Sequence, residues 1–170
     1  MSLINGLPAH VLLVHIVVVL VPLTALALVV AALWPRAAQR LGPLLPLLAL
    51  IALVSVPLTT QAGEWLEQHV NNDALVRRHT EMGDGLLPWV LGLFVLAAVV
   101  WWAARSAPAE PGRGGRMRWS AAPVRIVVGV LSLAVAVGAV VDVYRIGDSG
   151  AKAAWHDTVS KTATGTDDGS

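Results

Sequence analysis

The sequence predicts an all-α polytopic membrane protein, a four-helix transmembrane bundle with its N-terminus and C-terminus outside, and three observations predict it. Apolar residues gather in four long blocks, Pro8–Trp34, Leu41–Thr59, Leu86–Ala104 and Ala121–Val141, which contain a single charged side chain, Arg125. Each block is about 20 residues or longer, the length a spanning helix needs. None shows the polar face at helical period that a soluble bundle would carry. Basic residues, finally, concentrate on alternate connections. A composition of 56% hydrophobic and 14% charged residues, with a mean hydropathy of +0.68, agrees with this class and not with a soluble domain.

The spacing predicts helices over roughly 8–34, 41–62, 84–104 and 122–144, forming one domain over 1–157, with a disordered polar tail over 158–170. The first begins after an N-terminus without Lys or Arg and is longer than a signal-peptide core, so a cleaved leader is not expected. Pro57 in the second should kink it near the end. Thr59, Thr60 and Gln61 then follow, placed to satisfy freed carbonyls or to face a polar pocket. Asn71-Asn72-Asp73 reads as a turn and N-cap, and Gly83-Asp84-Gly85 with Pro88 predicts a bent helix or two short pieces before the third span. In the fourth, Ser132 with Ala136 and Ala134 with Gly138 put small residues four apart, which allows close helix contact. Asp142 and Arg145 share a face near its end and can pair.

Charge sets the orientation. The first and third connections carry Arg36, Arg40, Arg105, Arg113, Arg116, Arg118 and Arg125 against the single acid Glu110. Short basic loops stay in the cytoplasm, so the termini and the second connection face outward. Trp34, Trp101, Trp102 and Trp119 mark the inner boundary, and Trp65, Trp89, Tyr144 and Trp155 the outer one. The third connection, rich in Pro, Gly and Arg, reads as a flexible loop that contacts anionic lipid, not nucleic acid.

This topology puts all five histidines, His10, His15, His69, His79 and His156, on the outer side. His15 falls just inside the hydrocarbon edge, where an ionisable group is costly unless it faces the bundle and finds a partner. His10 and His15 are roughly 140° apart on a helix, so neither can complete a site with the other alone. His79, at the entrance to the third span, is the best partner in the sequence. Three chemistries suit such a set. Imidazoles from two helices can ligate a b-type haem for electron transfer. His10, His15 and His79 with Glu81, Asp142 or Asp148 can hold a transition metal. His15 and Asp142 can belong to a proton or substrate path. The structural alternative is an imidazole hydrogen-bonded within the bundle, in an accessory membrane subunit without cofactor. The chain has no cysteine, which excludes disulfides and thiolate chemistry. No nucleophile motif, phosphate loop or metalloprotease signature supports an enzyme.

Four short motifs lie in order along the chain. They are Gly6-Leu-Pro-Ala-His10-Val-Leu-Leu-Val-His15, Thr60-Gln-Ala-Gly63-Glu64, Arg78-His79, and Tyr144-Arg-Ile-Gly147-Asp148-Ser-Gly150-Ala151. Together they resemble the bacterial membrane family numbered 2231 among domains of unknown function. The resemblance implies a four-helix bacterial membrane protein, with His10, His15 and His79 as its functional set and Gly147, Asp148 and Gly150 shaping the outer end; the Arg-, Ala- and Val-rich composition resembles that of a high-GC bacterium, which makes the plasma membrane the expected location. Sequences of this type are sometimes joined to cytochrome domains, which implies membrane redox proteins as partners; the lipid bilayer and self-association are the other partners expected. Asp148 stands where the family often has a histidine, a departure that removes one ligand.

Overall fold

A computed structural model describes the backbone of residues 3–4, 7–67, 74–105 and 122–164, and the side-chain surroundings of 13–63, 83–105 and 123–152. A two-residue antiparallel ladder, β1 (Leu3–Ile4) with β2 (Leu7–Pro8), precedes α1 (Ala9–Leu33). Then come α2 (Pro35–Leu41), α3 (Leu44–Glu67), α4 (Ala74–Arg105) and α5 (Ala122–Thr164). The four long helices form the transmembrane bundle, with spans over Leu13–Leu33, Leu44–Gly63, Gly83–Arg105 and Pro123–Lys152. At most 33% of any span is buried inside the bundle, so most of each helix faces outward with valine and leucine, as lipid requires.

The helices close into a ring in which α1 packs on α3 and α5, and α4 packs on the same two. Val21, Ala25 and Leu28 of α1 meet Ala49, Ala52 and Val56 of α3 and Val90, Leu93 and Ala97 of α4 in one core, with Ala136 and Ala139 of α5. The residues at the centre are small or medium-sized because apolar lipid gives helices little hydrophobic reason to associate. Close approach and shape hold the bundle together instead. One end, near Leu13, Gly63, Gly83 and Ile146, is the His15 end; the other, near Leu33, Leu44, Arg105 and Pro123, is the arginine end.

Three local results bear on the sequence expectation. The connection 35–41 is a helix: Pro35 occupies its first turn after an extended Trp34, and Gly42 closes it at φ 49° with its N–H donating to the Ala38 carbonyl. Of the bent helix or two short pieces expected around Gly83, Asp84, Gly85 and Pro88, the structure has one continuous helix, α4, with Pro88 inside it. Its glycines are contact surfaces, as shown below. Beyond residue 144, α5 continues as helix to Thr164, over part of the stretch read as a disordered tail. No proline follows Pro123, and Ala151, Ala153 and Ala154 favour helix. The expected turn at 71–73, the loop at 106–121 and the last residues of the tail lie outside the described residues.

Candidate functional site at the His15 end

The described acids are confined to one end, which they share with Arg145 and Lys152. Among residues with described side chains, the acids Asp84, Asp142 and Asp148 all lie toward the His15 end, and Arg36, Arg40, Arg105 and Arg125 lie toward the other. The His15 end is also where packing is incomplete. A cavity of about 60 Å³ opens there, lined from all four long helices by Val14, Val17, Val56, Thr59, Gly83 and Ile146, among others. Thr59 donates its hydroxyl to the Ser55 carbonyl at 2.7 Å and Thr60 to the Pro57 carbonyl at 3.1 Å. With those protons spent on backbone, the described walls present mainly methyl groups. The threonines thus face a pocket, as expected, but an apolar one, and the carbonyls they bond to are those of Ser55 and Pro57 and not the Leu53 carbonyl that Pro57 frees.

The cavity is bounded by a close α4–α5 seam. Gly85 lies against Asp142, a Cβ there falling 3.7 Å from Oδ2. One turn further, the Trp89 ring covers Gly138 so closely that a Cβ would fall 2.2 Å from Cζ3; Gly92 then meets Val135, at 3.0 Å from Cγ1. Positions 85, 89 and 92 on α4 thus match 142, 138 and 135 on α5 in antiparallel register. Of the small residues expected to make close contact, Ser132, Ala136 and Gly138 do so, whereas Ala134 is exposed.

His15 does not turn into this core. It lies on the exposed side of α1 with Ile16, roughly 120–160° around the helix from Val21 and Val17, which are buried. The core face of α1 is set by Val17, Val21, Thr24 and Leu28, and a side chain at position 15 falls off that stripe. Its neighbours Val14 and Val18 line the cavity, so the imidazole flanks the opening. The backbone of His10 lies in the first turn of α1, that of His79 early in α4 and that of His156 late in α5, but their side chains are outside the described ones, as is all of His69.

Asp142 and Asp148 differ in kind. Asp142 Oδ2 is buried beside Gly85 with no hydrogen-bond donor, whereas Arg145, its expected partner, is exposed. Asp148 is exposed and accepts from Lys152 Nζ at 2.6 Å. Among the described residues no three His, Asp or Glu side chains converge as metal ligands would. The cavity of about 60 Å³ is smaller than the roughly 300 Å³ that a haem-sized ligand needs, and His15, the histidine whose side-chain surroundings are described, lies on the exposed side of α1. Sequence reasoning had no means to find the cavity walls or the Trp89–Gly138 contact. The cue for the seam was present in the glycines at 85 and 92, which punctuate a helix without ending it.

The model of a family described as "Predicted membrane protein (DUF2231)" matches residues 6–163. No curated protein and no solved structure matches the chain.

Proposed function

The chain belongs to the DUF2231 family of predicted membrane proteins, and on that premise we propose a structural or accessory role in the bacterial plasma membrane: a non-enzymatic, four-span subunit whose interior holds no cofactor. Its arginine end faces the cytoplasm and both termini face outward, in keeping with the charge of the connections. The observation that carries this reading is the close helix packing around a small apolar cavity. Gly138 sits under Trp89, Gly92 against Val135, and the cavity at the His15 end is about 60 Å³. A void of that size takes a few waters or the end of an apolar chain, not a macrocycle. The partners of such a subunit are the bilayer, another copy of itself, or a neighbouring membrane protein.

The rival reading is a haem or metal centre for electron transfer at the outer mouth, built from His10, His15 and His79, with Asp142 and Asp148 as further metal ligands. One observation favours it: Asp142 Oδ2 is buried near the cavity with no donor. The two readings separate in a visible spectrum, oxidised and dithionite-reduced, with metal analysis, on protein purified in mild detergent from cells supplied with haem and metals. The accessory reading expects a colourless, metal-free sample. Reduced bands of a six-coordinate b haem that vanish in His15→Ala or His79→Ala would overturn it.

A further inference from the structure

The arginine end is built differently from a loop that merely marks orientation. Helix α2 lies between the ends of two spans, Leu33 and Leu44, which places it at headgroup depth. It is amphipathic: Ala38 is buried in the bundle core and Leu41 packs against that core, while Arg36, Gln39 and Arg40 are exposed on the opposite side. Arg36 and Arg40 are one turn apart, so both guanidinium groups rise from one face. Helix α2 also packs on α4, whose last residue, Arg105, is held over the Trp101 and Trp102 rings at 4.9 and 4.5 Å from their centroids. Stacking leaves the guanidinium edge free to donate. Among the described residues, no acid lies at this end and none pairs with Arg36, Arg40 or Arg105.

Three arginines on packed elements, with no counter-charge among the described residues, at the depth where lipid phosphates lie, suit an anion of that depth. We propose that α2 and the end of α4 bind the headgroup of an anionic phospholipid in the leaflet at the arginine end. Arginine suits the task because its planar fork matches phosphate oxygens and is more weakly hydrated than an ammonium group. The inference does not depend on which compartment that leaflet faces, nor on the accessory-subunit reading.

Native mass spectrometry of the full chain in detergent, with phosphatidylglycerol and phosphatidylcholine as probes, tests it. The Kd of the first phosphatidylglycerol should rise by about fivefold for each arginine removed in Arg36→Gln/Arg40→Gln, with phosphatidylcholine unaffected. These side chains are exposed, so the variant should insert normally; Arg105→Gln is an independent second variant with the same expected direction. Arg145→Gln, at the opposite end, should leave both lipids unchanged. Unaltered phosphatidylglycerol binding in the first two variants, or an equal loss in Arg145→Gln, would show diffuse charge attraction and overturn the site.

Discussion

At the arginine end the core closes on itself, with Leu28, Ala31, Leu93 and Ala97 almost without solvent contact, and α2 covers it with Ala38. At the His15 end the same four helices leave a cavity, interleave Thr59, Thr60 and Asp142 with the valines, and have no comparable covering helix among the described residues. The two ends share one chain composition and one lipid environment, so the difference comes from side-chain shape and from where charge is placed. Shape seals one end and charge fixes it at the surface; the other end keeps polar groups and spare volume. In a membrane, where apolar packing is not driven by water, spare volume at one end costs the bundle contacts that a substitution can restore.

That contrast can be broken by single substitutions, read as unfolding in detergent. The largest effect is expected at the seam beside the cavity, where there is no room at all. Gly138→Ala drives a methyl into the Trp89 ring and should cost about 3 kcal/mol, part of which Trp89→Leu in the same chain should recover. At the sealed end, Ala97→Leu, at a position with no solvent exposure, should cost about 2 kcal/mol. The sign should reverse at the open end, where Val17→Ile adds one methylene toward the cavity and should stabilise by about 0.5 kcal/mol or more. A loss at Val17 equal to that at Ala97 would mean that the two ends pack alike. The smallest effect belongs to the surface: Asp148→Asn removes an exposed pair with Lys152 and should change stability by only about 0.3 kcal/mol, less at high salt.

The four spans were legible because hydrophobic run length is a property of sequence alone, and the blocks from Pro8 to Trp34 and from Ala121 to Val141 leave no other reading. Helix α2 was less so. Pro35 and Gly42 bracket it with helix start and stop signals, but a seven-residue helix between two spans is outweighed by the expectation of a loop. The glycines of α4 left two readings open for a related reason. Locally, Gly83-Asp84-Gly85 weakens a helix, whereas in the folded chain Gly83 lies against Thr60 and Gly85 against Asp142, so tertiary contact keeps the helix whole. His15 shows the limit of depth arguments. Sequence gives its approximate level in the membrane, but the side of α1 that it occupies depends on which residues form the core stripe, and Val17, Val21 and Thr24 decide that.

The proposed function at the outer face rests on the side of the membrane that each end faces, and the absence of cysteine makes that directly measurable. A single cysteine can be placed at Gln39, exposed on α2, and another at Gly147, where a new Cβ meets nothing within 4 Å. A membrane-impermeant maleimide applied to intact cells should label Gly147→Cys and leave Gln39→Cys unlabelled until the membrane is opened. Labelling of Gln39→Cys in intact cells, with Gly147→Cys protected, would invert the bundle and contradict an outward-facing His15 end.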